Sequence, residues 1–290
     1  MRRNRTSKSS GLKPKELELL TATWRKYTAL PYIELTPMRE TSSVWDSKLG
    51  GRPYLPPGFI YPHNNDPESD GRPLKMLAQL NFAQIPRLEG FPAAGILQFY
   101  IANEACDDLF GLNLENQTDQ TGWRMVYHKD IVTDASKLQL PPELESGDDV
   151  RPFPFSGEYR LAMQLEEWVV TPMDYRWEAF MDNLVRPLPF YQSRKKKSQE
   201  QGLENLMREV SGEYAYGFKI GGYPAFTQED PRCLDRYKDY SVLLLQLDSW
   251  WDEKDPGIMF GDGGVANWFI KPEALARADF SDVLYNWDCF

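Results

Sequence analysis

Carboxylates are the most concentrated chemical groups in this sequence, and they gather in one loop after a predicted strand at 243–247. The acids of that loop are Asp248, Asp252, Glu253, Asp255 and Asp262. Oxygen-rich loops can hold calcium, although this spacing does not match an EF-hand. Two acids whose environments separate their pKa values can act as general acid and base, and Asp248 and Asp262 are the candidates. Calcium binding, carboxylate chemistry and plain solvation of the loop all stay open.

The side chains that commonly act as nucleophiles or bases are few. His63 falls in a loop and His128 ends a predicted strand, and nothing in the sequence places a nucleophile beside either ring. Cys106, Cys233 and Cys289 are odd in number and unclustered, which argues against a disulfide framework or a zinc site. The same cysteines favour a reducing compartment. These residue types favour a protein without catalytic activity but do not exclude an enzyme. We expect no cofactor and no metal.

Two stretches of the chain repeat three signals in the same order. A Gly-Gly-x-Pro turn at Gly50–Gly51 is followed by a Leu-x-Gln-Leu strand containing Gln79, and the turn at Gly221–Gly222 is followed by one containing Gln246. A glycine-led apolar strand then closes each copy. Because an unpaired buried amide costs roughly 1–3 kcal/mol, the two glutamines are expected to bind backbone groups of a neighbouring strand or of the turn. The alternative is that they face a ligand.

This repeat predicts an α+β fold of mostly antiparallel sheets in two pseudo-symmetric lobes from an internal duplication, with a few peripheral helices. Residues 12–290 then form one domain, with lobe one at about 30–170, lobe two at about 212–290 and a helical connection between them. Helices are predicted at 12–29, 175–184, 199–210 and 272–277. Strands are predicted at 32–39 (an edge strand because of Pro37), 74–81, 96–101, 123–128, 131–134, 243–247 and 280–289, while 161–169 is ambiguous between strand and helix.

The charge balance limits the partners. The formal net charge is -10, although residues 1–15 carry six cations and no acid. An acidic body repels phosphate, so nucleic acid is not an expected partner for it. Residues 1–11 are expected to form a basic disordered tail. No run of about 18 apolar residues or apolar leader is present, so we expect a cytoplasmic protein that is not a membrane protein.

A binding surface is predicted in the groove between the two lobes. Exposed tryptophans often mark interaction surfaces or sugar-binding platforms. The Trp250-Trp251 pair closely follows Asp248 at the end of the predicted strand. The alternative is that these two tryptophans pack in the core. The candidate binding residues are Gly50, Gly51, Gln79, Gly221, Gly222, Gln246, Asp248, Trp250 and Asp262.

Together these motifs resemble the YwqG-like family, over roughly residues 44 to 290. They are Leu49-Gly50-Gly51-x-Pro53, Leu77-Ala78-Gln79-Leu80-Asn81, Ile220-Gly221-Gly222-x-Pro224, Leu244-Leu245-Gln246-Leu247-Asp248 and Phe280-Ser281-Asp282-x-Leu284-x-Asn286-Trp287-Asp288. The resemblance implies a soluble α+β domain of unknown function with no catalytic residues to carry over. It also implies an association with bacterial toxin–immunity systems. The family pattern has a tryptophan where this chain has Tyr61.

The function that these observations predict is a cytoplasmic, non-enzymatic binding protein with an unidentified protein partner. In a toxin–immunity setting, the acidic body suits a basic target. The alternative is a carboxylate-dependent hydrolase, or a protein that binds calcium or a sugar in the same groove.

Overall fold

Ten strands make up the main element of the fold. The computed structural model describes residues 12–67, 69–103, 109–144, 153–193, 197–212, 215–251 and 257–290. The predictions for the tail at 1–11, for Cys106 and for Asp252, Glu253 and Asp255 fall outside these residues. In chain order the strands are β1 (Leu30–Met38), β2 (Lys48–Gly50), β3 (Lys75–Asn81), β4 (Ile96–Ile101), β5 (Trp123–His128), β6 (Glu158–Trp168), β7 (Phe218–Gly221), β8 (Val242–Asp248), β9 (Val265–Ile270) and β10 (Val283–Asp288).

These strands form one curled antiparallel sheet in the order β10-β9-β8-β7-β1-β6-β2-β3-β4-β5. The central pair joins β1 to β6 without a register shift, from Leu30 opposite Trp168 to Met38 opposite Arg160. On one side of this pair, β2 to β5 follow one another as a meander, and on the other side β7 to β10 do the same. A register irregularity occurs at matching places in the two meanders, between Met76 and Ala78 and between Leu243 and Leu245.

The helices lie at the periphery of the sheet. They are α1 (Pro14–Thr28), α2 (Trp177–Phe180), which continues as a π-helical turn (Met181–Val185), α3 (Pro189–Gln192), α4 (Lys197–Ser211) and α5 (Pro272–Ala276). In α1, Pro14 occupies the first turn, and the Glu16 carboxylate accepts a hydrogen bond from the Lys13 N–H. Its Leu20 and Trp24 are buried, and Trp24 packs edge-on against Trp177 at 5.2 Å between ring centroids. No helix in the described residues has the length and apolarity that a bilayer crossing needs.

The structure corrects two local predictions and decides one that the sequence left open. β1 lies at the centre of the sheet and not at its edge. Pro37 is accommodated because β7 pairs with β1 only from Tyr32 to Leu35, so the position of its missing N–H faces no strand. The stretch at 131–134 is not a strand; it is extended chain leading into a 3₁₀ turn that Asp134 caps. The ambiguous stretch at 161–169 is strand, because it pairs with β1 along its length.

An aromatic core fills the space between the two meanders. Trp268 of β9 stacks on Tyr285 of β10 at 4.6 Å and meets Phe99 of β4 edge-on at 5.4 Å. Trp123 of β5 lies 5.3 Å from Tyr285. All four rings are essentially inaccessible to solvent and belong to one apolar cluster. The two meanders therefore share a core.

Candidate binding site

The two Gly-Gly turns are determined by backbone geometry. Gly50, Gly51, Gly221 and Gly222 all have φ between 63° and 76°, the left-handed region that L side chains rarely adopt. A Cβ at Gly50 would lie 2.5 Å from the carbonyl oxygen of Gly157, and one at Gly221 would lie 2.8 Å from Leu88 Cδ2. The turn alone therefore requires glycine at these positions.

The two repeat glutamines are fully buried and bind backbone groups, which is the structural role expected of them. Gln79 Oε1 accepts from the Tyr54 N–H at 2.9 Å, and its Nε2 donates to the carbonyls of Val44 and Asp46. In the second copy, Gln246 Oε1 accepts from the Ala225 N–H at 2.7 Å, and Gln246 Nε2 donates to the carbonyls of residues 215 and 217. Each amide thus joins a strand to the segments before and after its Gly-Gly turn.

Two buried lysines beneath the same turns were missed by the sequence analysis. The ammonium groups of Lys48 and Lys219 donate hydrogen bonds to the carbonyl oxygens of Ser43 and Ala215, respectively. Burial lowers the pKa of each lysine to about 8. A signal for them exists in the sequence, because each lysine stands two residues before its Gly-Gly pair. Nearby carboxylates, Glu158 and Asp46 for Lys48 and Asp248 and Glu34 for Lys219, oppose this lowering of the lysine pKa.

The acidic candidates are placed differently from one another. Asp248 ends β8 opposite Val265, is partly buried, and accepts a hydrogen bond from the Gly217 N–H at 2.7 Å. Burial raises the pKa of the Asp248 carboxyl. Asp262 is exposed in the turn before β9. Within the described residues, no group of three or more His, Cys, Asp or Glu side chains is arranged to hold a metal ion.

Trp250 is half-buried and packs against the shared core, whereas Trp251 is exposed. The backbone of Trp250 pairs with Ile258, at 2.7 Å in both directions. This pairing brings together the chain segments on either side of residues 251–257. Trp251 is therefore the more exposed of the two tryptophans.

The expected single groove is not formed by the two Gly-Gly turns. Gly50 pairs with Glu158 at the start of β6, whereas Gly221 pairs with Tyr32, which lies opposite Glu166 near the other end of β6. Eight residues of extended strand, roughly 27 Å, separate the two positions. The turns lie at opposite ends of the central strand pair, with the aromatic core between the meanders, so they cannot line one cleft. Sequence order alone could not reveal this.

The two histidines lie in different environments. His63 is exposed in its loop, whereas His128 is buried and its Nε2 lies 2.9 Å from Gln98 Oε1. Gln98 Nε2 in turn donates to Gln79 Oε1 and to the Tyr54 carbonyl. Burial lowers the pKa of His128 to about 4, so the ring is neutral at pH 7. His128 extends the network that holds the first Gly-Gly turn.

A second buried polar group was missed entirely. Arg232 is inaccessible to solvent and bonds to Asp230 and Asp174, with its guanidinium carbon 4.2 Å from the centre of the Phe269 ring. Although burial opposes it, the two neighbouring carboxylates raise the pKa of Arg232. The cluster ties the segment after β6 to the turn at 230–232. No periodic pattern in the sequence marks such a contact.

The longest strand of the sheet leaves part of one edge unpaired. β2 pairs with β6 only from Glu158 to Arg160, and the Leu161 N–H then donates to the Ser47 carbonyl at 3.3 Å. From Ala162 to Trp168, no described strand lies on this side of β6. A cleft of about 300 Å³ opens where β2 ends, lined by Asp46, Ser47, Gln84, Pro86, Arg160, Leu161, Ala162 and Met163. A free strand edge beside a cleft is a surface to which an extended chain can add.

The fold and this edge define an antiparallel β-sheet protein with an open central strand, a class that carries no particular activity. Residues 47–289 match the family model described as a domain of unknown function, DUF1963, and the chain belongs to that family. A search of the curated proteins gave no match.

Proposed function

We propose that this protein is a non-enzymatic binding protein whose protein partner docks along the unpaired edge of β6. The observation that carries the proposal is the free edge from Ala162 to Trp168 beside the cleft at Asp46 and Gln84. Main-chain hydrogen bonds to an exposed sheet edge are a general source of affinity for extended segments. The family match leaves the activity open, so the proposal rests on this surface.

The arrangement of polar groups elsewhere supports the same proposal. The amides of Gln79 and Gln246, the ammonium groups of Lys48 and Lys219 and the imidazole of His128 are all engaged inside the fold. Their contacts stabilise turns and strands and are not directed at a cleft. They give the sheet a rigid frame on which an edge can be presented.

We further propose that the two meanders arose by duplication of one four-strand unit, giving two pseudo-symmetric lobes on either side of β1 and β6. The matching positions of the Gly-Gly turns, the glutamines, the buried lysines and the register irregularities support this. We also propose that the chain is a YwqG-like member of its family, located in the cytoplasm. A toxin–immunity setting would supply a protein partner of the kind proposed.

Site-specific photo-crosslinking in cells that make the protein tests the proposal. A benzoylphenylalanine at position 167, on the free edge, is expected to give a discrete adduct. The same group at exposed position 60 is expected to give none. Leu165→Pro should remove the adduct, because it deletes an N–H that points away from β1 and leaves the β1 ladder intact. Equal adducts from both positions, or an adduct that survives Leu165→Pro, would contradict docking at this edge.

A carboxylate-dependent hydrolase or a small-ligand protein is the alternative, favoured by the raised pKa and partial burial of Asp248. A thermal-shift screen with calcium, sugars and EDTA-treated controls separates the two proposals. A ligand at about 100 times its Kd stabilises the native state by about 2.7 kcal/mol. A calcium or sugar shift that Asp248→Asn removes would favour the alternative, and we expect none.

A further inference from the structure

We infer that the partner adds to β6 as an extended, antiparallel segment of about seven residues in which apolar residues alternate with lysine or arginine. This inference rests on the proposed function and specifies the partner of the same edge. Three features of the edge determine it: the direction of its backbone groups, the apolar character of one face and the negative charge of the other.

The backbone supplies the hydrogen bonds for an added strand. The Leu161 N–H points toward Ser47, and β6 has no register shift against β1. Because N–H and C=O directions alternate between residues of an antiparallel strand, the backbone groups of Met163, Leu165 and Glu167 point away from β1. No hydrogen bond joins these outward N–H and C=O groups to another described residue. They are the donors and acceptors for the partner.

The face that points toward the core favours apolar partner residues. Leu161 is buried, Met163 is half-buried, and Leu165 is 50 % exposed. Leu161 and Met163 both contact the main apolar cluster. Side chains directly opposite one another on neighbouring strands interact, so an added strand would cover Met163 and Leu165 with its own apolar side chains.

The opposite face and its surroundings favour basic partner residues. Glu166 points to this side with Gln164, and Glu34 lies opposite Gln164 on β1. On its other side Glu34 lies opposite Lys219 of β7, whose buried ammonium group binds backbone carbonyls. Glu167, on the face of Met163 and Leu165, is exposed at the same edge, and the stretch from 162 to 168 contains no lysine or arginine. The nearest cation on β6, Arg160, is already paired with Glu40 at 3.1 Å. Opposite charges across a strand pair are stabilising, and like charges are not.

The cleft determines the direction of the added strand. A strand that continues the line of β2 runs antiparallel to β6, as all strand pairs of this sheet do, and its C-terminal end meets Ser47. The Asp46 carboxylate lines that end of the edge. It would attract a basic side chain there. The free stretch of β1 is a poor alternative, because Pro37 removes one of its outward N–H groups.

Two variants isolate the charge contribution. Glu166→Gln combined with Glu167→Gln removes two charges at the edge without changing side-chain size. Glu273→Gln removes a charge elsewhere, because Glu273 is exposed on α5. We expect the pair to weaken binding of a basic strand at least 5-fold at low salt, and the control to leave it unchanged. Equal affinities for all three proteins would overturn the basic assignment.

The decisive experiment uses three capped seven-residue peptides in which valine alternates with lysine, threonine or glutamate. Binding is measured by fluorescence anisotropy, and hydrogen exchange is followed at the amides of Met163, Leu165 and Glu167. We expect the lysine peptide to protect these three amides and to bind at least 10-fold more tightly than the glutamate peptide, with an affinity that falls as salt rises. Leu165→Pro should abolish its binding.

Each of the other outcomes contradicts a different part of the proposal. If the threonine or glutamate peptide binds as well as the lysine peptide, the basic class is wrong and edge binding stands. If no peptide protects the three amides although the crosslink from position 167 persists, strand addition is wrong and the proposed function survives. If the crosslink is absent as well, the proposed function fails with it.

Discussion

Single buried side chains in this protein hold the backbone in place more than they prepare chemistry. Gln79 and Gln246 occupy equivalent places in two meanders and bind equivalent backbone groups. A buried amide in a strand is tolerated only where its donors and acceptor are all used. The spacing of these glutamines from their Gly-Gly turns is therefore a structural requirement of the turns.

Replacing either glutamine by leucine should be costly. Gln79→Leu and Gln246→Leu each leave a buried backbone N–H and two carbonyls without their partners, which is expected to lower the free energy of unfolding by about 1–3 kcal/mol. Urea denaturation measures the change. The matched control is Gln201→Leu, because Gln201 is exposed on α4 and no buried group loses a partner there. Equal losses in all three variants would argue against this role.

His128 should make stability fall in mild acid. Burial lowers its pKa in the folded protein to about 4, below the usual value near 6.5. Above pH 6.5 the ring is neutral in both states and contributes no pH dependence. As pH falls from 6.5 to 4, only the unfolded state takes up the proton, so stability declines, by up to about 3 kcal/mol.

Urea unfolding of the wild type and of His128→Gln across pH 4 to 8 tests this expectation. The substituted side chain has no titratable group but keeps a hydrogen-bond donor. The difference in unfolding free energy between the two proteins should be constant above pH 6.5 and should shift in favour of the variant below it. A constant difference over the whole range would show that His128 titrates normally.

At the scale of elements, the turns and not the strands determine where the chain reverses. β2 and β7 are short, yet each leads into a left-handed Gly-Gly pair followed by proline. The turn places a backbone N–H, of Tyr54 or Ala225, against the glutamine of the next strand. Turn and strand therefore stabilise one another.

Gly50→Ala should be more damaging than Gly58→Ala. Both glycines have positive φ, 63° and 75°, so both variants carry the left-handed strain of about 1–2 kcal/mol. A Cβ at Gly50 also collides with the Gly157 carbonyl, whereas one at Gly58 meets nothing within 4 Å. We expect an additional loss of about 1–3 kcal/mol for Gly50→Ala. Chemical denaturation of both variants measures it, and equal losses would mean that the backbone near Gly157 yields freely.

At the scale of the whole molecule, we expect the two meanders to unfold together because they share one core. Phe99 and Trp123 come from one meander, and Trp268 and Tyr285 from the other. The buried Gln117 side chain adds a hydrogen bond across the same boundary, to Asn286 at 2.7 Å. Neither meander can bury its aromatic face without the other.

Trp268→Ala should therefore destabilise the whole domain. Large aromatic-to-alanine changes in a core cost about 3–5 kcal/mol. We expect a single unfolding transition, shifted equally when it is followed by tryptophan fluorescence and by far-UV circular dichroism. Phe99→Ala, in the other meander, should shift the same single transition. Two separate transitions, of which only one responds to each variant, would show that the meanders are independent units.

Local patterns in the sequence were sufficient for most elements. β4 and β5 begin and end where their apolar runs do, and α1 follows its proline and its apolar stripe. The Gly-Gly-x-Pro turns and the structural role of the glutamines were also readable, because a turn or a buried amide has a requirement that acts within a few tens of residues. The stretch at 131–134 failed because strand propensity without a partner strand does not make a strand.

Only the tertiary structure decided what depends on distant partners. Strand order placed β1 and β6, 122 positions apart at their closest paired residues, at the centre of one sheet. That placement puts the Gly-Gly turns at opposite ends of the central strand pair. It also leaves the edge of β6 from Ala162 to Trp168 without a neighbouring strand in the described part of the chain. Pairing between distant segments is set by which combination buries the most apolar surface and satisfies the most backbone groups. No local pattern encodes that global balance, so the sequence determined the pieces and the packed core determined which edge stayed free.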